Sequence, residues 1–150
     1  TPAAAMTADL LAPHIDFVSV GTNDLTQYAL AMDRQNAHLA AQLDSLHPAV
    51  LRLIAQTAAG AADTRWIGVC GGLASDLLAA PILIGLGVTE LSATPSMTAE
   101  IKALLRGLTL ADCRELATQA LRLDSAEAVR ALADERLAAL MKSRVVGAVA

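Results

Sequence analysis

Apolar residues fall along this chain in two spacings. Short β-type runs occur at 15–20 (I-D-F-V-S-V), 66–70 (W-I-G-V-C) and 90–93 (E-L-S-A), and the first two stop at glycine, as strands do. The other apolar residues recur at helical spacing. Residues 3–12 predict a short helix, with Pro2 in its first turn where a missing N–H is harmless. A helix is expected over 26–33, then a connection over 35–46. His47-Pro48 opens another helix on Val50, Leu51, Ile54 and Ala58, which Gly60 and Asp63-Thr64 are expected to end. Further helices are predicted over 76–86, 97–106, 110–123 and 125–142, with 143–150 as a frayed tail.

Strand, helix, strand, helix in strict succession means parallel strands joined by helical crossovers. The expected class is therefore α/β. Three strands neither close a barrel nor make a covered doubly wound sheet. The simplest account is the C-terminal part of an eight-stranded β/α barrel, incomplete in this chain. No period suggests a solenoid.

Composition narrows the picture. The 150 residues are 55% hydrophobic and 17% charged, which suits one folded domain with a sizeable core rather than a disordered chain. A single Trp, a single Tyr and a single Phe predict an aliphatic core. Net charge is −4 with no basic run, which argues against nucleic acid as the main partner but not against a small anion held by placed arginines. Cys70 and Cys113 form no disulfide framework, and a reduced, cytoplasmic protein is the expectation. The longest apolar run, 77–88, is broken by Pro81, Gly85 and Gly87 and is too short for membrane insertion. The N-terminus has neither a starting Met nor the basic region of a signal peptide, so the chain is expected to be cut from something longer.

Candidate chemistry gathers where the first two strands end. Gly21 is followed at once by Thr22, Asn23 and Asp24. Asn and Asp are preferred helix caps, so capping is the plain reading of that pair. In parallel α/β folds the same position is where polar sites are built. Cys70 closes the second strand before Gly71-Gly72. Its plain reading is a small buried hydrophobe, but the C-terminal end of a barrel strand faces the active-site end. Cys113 lies mid-helix and reads as structural. His14, His38 and His47 lack metal-ligand spacing, and none is a site candidate.

The longer string G-T-N-D-L-T-Q-Y-A-L-A-M-D-R, residues 21–34, resembles the signature of enzyme I of the phosphoenolpyruvate-dependent sugar phosphotransferase system. W-I-G-V-C-G-G-L-A-S-D, residues 66–76, resembles that family's M-C-G-E-L-A-G-D. The likeness extends more loosely over L-I-G-L-G-V-T-E-L-S-A and the helices after it. It implies a phosphotransferase that moves the phosphoryl group of phosphoenolpyruvate to a histidine and on to the HPr carrier protein, releasing pyruvate. It implies Asp24 as a ligand of Mg²⁺, Asn23 and Arg34 as phosphate-binding residues, and Cys70 as the acid–base group at the methylene carbon. Mg²⁺ takes hard oxygen ligands, a guanidinium fork suits phosphate, and an ordinary thiol, titrating near 8.5, can exchange a proton close to neutrality.

One departure stands out: Gly72 occupies the place of the family's Glu, and the glycine form suggests the branch of multidomain fructose-type phosphoryl transfer proteins. The family's second metal ligand precedes Thr-Pro-Ala-Ala, which Thr1 to Ala4 match. It, two substrate arginines and the phosphohistidine domain would belong to an earlier part of the protein. The chain alone is therefore expected to be inactive, and the intact protein to be a homodimer. A pyruvate phosphate dikinase or phosphoenolpyruvate synthase is the alternative enzyme. An inactive dimerisation module is the alternative of another class.

Overall fold

The computed structural model describes residues 1–61 and 65–149, and of 143–149 the backbone course alone. Its three strands are β1 (Phe17–Gly21), β2 (Trp66–Cys70) and β3 (Glu90–Leu91). They form one parallel sheet in the order β1-β2-β3. The helices before β2 are α1 (Pro2–Met6), α2 (Ala8–Leu11), α3 (Thr22–Leu30), α4 (Ala37–Ala40) and α5 (Pro48–Ala61). After it come α6 (Ala79–Gly85), α7 (Pro95–Arg106), α8 (Leu110–Ala120) and α9 (Ala126–Val149). β1 and β2 each feed helical chain that returns to the next parallel strand. These are successive β/α units, as expected of part of a barrel.

Alternation sorts the sheet into two faces. Val20, Ile67 and Val69 point outward into a core they share with Leu51, Ile54, Ile82 and Leu83. That core is aliphatic, as the composition predicts. Phe17, Ser19 and Gly21 lie opposite Trp66, Gly68 and Cys70 on the other face. There the rings of Phe17 and Trp66 stack with centroids 4.7 Å apart, and both remain about half exposed, at 50% and 46%.

Several boundaries differ from the sequence expectation, each for a local reason. The first helix is split at Thr7, whose hydroxyl donates to the Ala3 carbonyl, a bond that competes with helix continuation. β1 runs two residues later at its start and one later at its end, and α3 begins directly on it at Thr22. Ala31, in the left-handed region at φ 52°, ends α3 before Met32. The connection after Arg34 contains the short α4, capped by Asn36.

Gly60 does not end α5; it lies inside it, and a Cβ there would come 2.7 Å from the backbone nitrogen of Asp9. It is a close-approach glycine, and the Asp63-Thr64 part of that expected stop lies outside the described residues. α6 starts at Ala79, after a 3₁₀ turn over Gly72–Ser75. Pro81 thereby falls in the first turn, where it costs no hydrogen bond. β3 pairs over two residues only. α9 continues through Val149 rather than fraying after 142.

Candidate functional site

The register Gly21↔Cys70 sets the C-terminal ends of β1 and β2 side by side. The two strands leave this edge differently. β1 runs into α3 with no loop, so Asn23 and Asp24 occupy the first helical turn. Gly21 is the N-cap and no side chain caps the helix. The capping reading of the Asn-Asp pair is therefore overturned. The Asn23 oxygen instead accepts the Gly72 N–H across 3.2 Å, joining the two junctions. Thr22, fully buried, donates its hydroxyl to the Cys70 carbonyl at 2.8 Å.

After Cys70 the chain turns through Gly71 at φ +90°. A Cβ on Gly71 would lie 2.7 Å from Thr22 Oγ1 and 3.1 Å from Asn23 Oδ1. Glycine is required twice over, by conformation and by space. At Gly72, by contrast, a Cβ would sit 3.6 Å from Asn23 Oδ1 in ordinary contact. The space there admits a side chain, so nothing steric calls for glycine at this position. Cys70 itself is half-buried, and the Ser19 hydroxyl points to its sulfur from 3.9 Å.

The turn at Ala31 brings Arg34 back over α3. Its guanidinium pairs with Asp24 at 3.1 Å, the two side chains 49% and 63% exposed. Such an exposed pair contributes little stability, so both groups remain available to a ligand. Asn23, Thr26, Arg34, Leu43 and Ser45 line a recess of about 220 Å³. The structure thus brings Asn23, Asp24 and Arg34 together and joins them to the Cys70 strand end through Asn23. A second cavity of about 130 Å³ beside β1 is lined by residues such as Ala8, Leu11, Val20 and Leu25, and by no titratable side chain.

Among the described residues no group of three or more His, Cys, Asp or Glu could hold a metal by itself. Asp24 is a hard-oxygen donor at the start of a nine-residue helix. One carboxylate completed by substrate oxygens and water is a usual Mg²⁺ environment, so the donor present fits the ion in part. Cys113 is buried on α8, away from this edge. Sequence reasoning missed Thr22, Ser19 and the role of Gly71. Register would have found Ser19, which lies one pair below Cys70 on the same face; Thr22 carried no signal of its own.

Residues 1–110 match the family described as PEP-utilising enzyme, PEP-binding domain. The chain belongs to this family. It is 60% identical over 136 residues to a multiphosphoryl transfer protein of Xanthomonas campestris pv. campestris, covering 90% of the chain and 16% of that relative. A multiphosphoryl transfer protein of Rhodobacter capsulatus is 54% identical over 132 residues, covering 87% of the chain and 16% of the relative. A phosphoenolpyruvate-protein phosphotransferase of Mycoplasma genitalium is 42% identical over 134 residues, 89% of the chain and 23% of the relative. The chain spans about a quarter or less of the length of these curated relatives. The higher identity to multiphosphoryl transfer proteins agrees with the branch that Gly72 suggests. Among the described residues no helix is long and apolar enough to cross a membrane.

Proposed function

We propose that this chain is the phosphoenolpyruvate-binding part of a phosphoenolpyruvate-protein phosphotransferase of the multiphosphoryl transfer type. The observation that carries this reading is the junction pair. Asn23, Asp24 and Arg34 stand at one strand end, Cys70 stands at the adjacent one, and the Asn23–Gly72 hydrogen bond fixes the two together.

The substrate phosphate binds at the N-terminus of α3, where unpaired N–H groups and the helix dipole favour anions. Asn23 donates to it, and Arg34 turns from Asp24 to grip it with two N–H groups. Asp24, released, is the carboxylate that holds Mg²⁺ together with substrate oxygens. An ion held by Asp24 would supply charge neutralisation at the substrate phosphate. Transfer of the phosphoryl group to a histidine of another domain leaves the enolate of pyruvate. Cys70 donates its proton to the methylene carbon, giving pyruvate, and Ser19 orients the sulfur. The phosphohistidine then passes the group to the HPr carrier protein. The intact protein works in the cytoplasm as a homodimer.

A dimerisation module without activity is the second reading, favoured by the half-exposed Phe17–Trp66 stack on the open sheet face. The dikinase reading has less support, because the relatives reported above are named as protein phosphotransferases and multiphosphoryl transfer proteins.

The test is Mg²⁺-dependent pyruvate release from phosphoenolpyruvate by the intact gene product with its phosphocarrier. The 150-residue chain and the Cys70→Ala variant of the intact protein are assayed beside it. Turnover by the intact protein, lost in the chain and in the variant, is expected. An inactive intact protein with its carrier present would sink the reading and leave the module in its place.

A further inference from the structure

α9 carries a residue that none of the above uses. Val129 and Ala133 are fully buried and seat the helix, and between them Arg130 reaches toward the strand-end edge. Its Nε and NH2 bind the two oxygens of Asp44 at 2.5 and 2.9 Å, and its NH1 binds Asp76 Oδ2 at 2.9 Å. All three guanidinium nitrogens are engaged, the fork on one carboxylate and the remaining arm on another.

Each carboxylate is itself built into a loop. Asp44 Oδ1 also accepts the Leu46 N–H at 2.9 Å. The next residue, Ser45, accepts from the Thr26 hydroxyl at 2.8 Å and lines the recess with Asn23 and Arg34. Asp76 Oδ1 accepts the Leu78 N–H at 2.9 Å and so fixes the end of the turn that starts at Cys70. Its neighbour Ser75 accepts the Thr94 N–H at 2.9 Å, which ties in the chain after β3. One side chain therefore fastens the loop after α4 to the loop after β2, across 86 and 54 residues of sequence. The matched family domain ends at residue 110, short of Arg130.

We propose that Arg130 is a positioning residue that holds the Asp44-Ser45 loop, which flanks the recess of Asn23 and Arg34, and the Cys70 turn in one fixed relation, so that the phosphate grip and the proton donor stay aligned on one substrate. This rests on the functional reading above. The electrostatics agree with it: the hydrogen bond to Asp44, then the bond to Asp76 and the charges of both carboxylates, outweigh burial and hold the Arg130 guanidinium above its usual range. Lysine can replace it only in part, because a point ammonium lacks the planar fork that grips Asp44 while a third nitrogen reaches Asp76.

The experiment uses the intact gene product with Arg130→Ala, Arg130→Lys and, as control, Arg136→Ala. Arg136 is on the same helix but pairs with Glu115 of α8, so its loss weakens helix docking without touching either loop. Misalignment by about 1 Å costs roughly 10²-fold, so Arg130→Ala is expected to lower kcat by that order. KM for phosphoenolpyruvate is expected to change less than about threefold, since neither Asn23 in the first turn of α3 nor Arg34, paired with Asp24, touches Arg130. Arg130→Lys recovers part of kcat, and Arg136→Ala keeps it.

In parallel, N-ethylmaleimide labelling of Cys70 is followed by peptide mass spectrometry, with buried Cys113 as internal reference. Labelling is expected to quicken in Arg130→Ala, to a smaller degree in Arg130→Lys, and not in Arg136→Ala. An unchanged kcat in Arg130→Ala, or equal losses in the Arg130 and Arg136 variants, overturns the proposal. If Arg130→Ala does not fold, Arg130→Lys carries the comparison on the same criteria. If the wild-type protein does not act on phosphoenolpyruvate, the functional reading fails by itself. The loop clamp is then decided by the labelling: a rise confined to the Arg130 variants supports it, and equal rates overturn it.

Discussion

The two strand ends of the site solve opposite problems with the same residue type beside them. At the first, Gly21 passes the chain straight into α3, and the polar side chains stand on a rigid helical turn. At the second, Gly71 bends the backbone away and delays helix α6 until Ala79, leaving Cys70 at the lip of the sheet. A charged ligand needs donors held still, since preorganised donors pay no reorganisation on binding. A proton donor to carbon needs reach and partial exposure. Under the proposed function, the difference means that one junction serves binding and the other presentation. The Asn23–Gly72 and Thr22–Cys70 hydrogen bonds make them a unit.

The hardest test of that division is to remove the presented group. Cys70→Ala in the intact protein is expected to cut pyruvate formation by about 10²–10⁴-fold, the usual worth of a placed acid–base group. Thermal stability should stay close to wild type, because a half-buried sulfur gives way to a methyl. Full activity in this variant would end the presenting role of the second junction. Next comes the bend itself. Gly71→Ala places a Cβ 2.7 Å from Thr22 Oγ1 at a φ of +90°, a strain on the order of 1–3 kcal/mol. Chemical denaturation should show a loss of that size, together with faster Cys70 labelling as the turn moves. Wild-type stability would mean that the turn relaxes freely and that the two junctions are not locked.

How much of this could be read beforehand follows from how far each contact reaches along the chain. The three parallel strands, the aliphatic core and the placing of Asn23, Asp24 and Cys70 at strand ends were legible, because period, composition and motif are local. The start of α3 was not. An Asn-Asp pair after a strand looks like a cap, and only the sheet register reveals that the Asn23 oxygen is spent on Gly72, 49 residues away. Gly60 looked like a helix stop because its reason, the backbone of Asp9, lies on another helix. The start of α6, expected at residue 76, was misplaced in the same way. The helix begins only after a 3₁₀ turn, a choice made by the bend at Gly71 and by Asp76, which accepts the Leu78 N–H. Arg130 was invisible for the same reason at greater range.

A smaller effect sharpens the link between the junctions. Thr22→Val keeps the shape of a fully buried residue but removes the donor to the Cys70 carbonyl. An unmade bond at such a site costs about 1–2 kcal/mol, and a fall of that size in unfolding free energy is expected. No change would show that the carbonyl finds another donor and that Thr22 does not couple the strands.

The smallest effect is a pH dependence at Asp44, on the loop that flanks the binding junction. Burial acts to raise its pKa, but the Arg130 hydrogen bond, the Leu46 N–H and the positive charges of Arg130 and His47 outweigh it. The net result is a value below the ordinary 3.8. A carboxyl with a depressed folded pKa stabilises the fold above its unfolded value and loses that contribution as acid protonates it. The advantage of wild type over Asp44→Asn should therefore be complete at neutral pH and shrink as the pH falls below about 4. Urea midpoints of both proteins at neutral pH and at about pH 3 measure it. A gap that stays constant with pH would mean that Asp44 contributes shape and hydrogen bonds but no charge. The binding junction would then be held to α9 by geometry, and Arg130 would lose its electrostatic half.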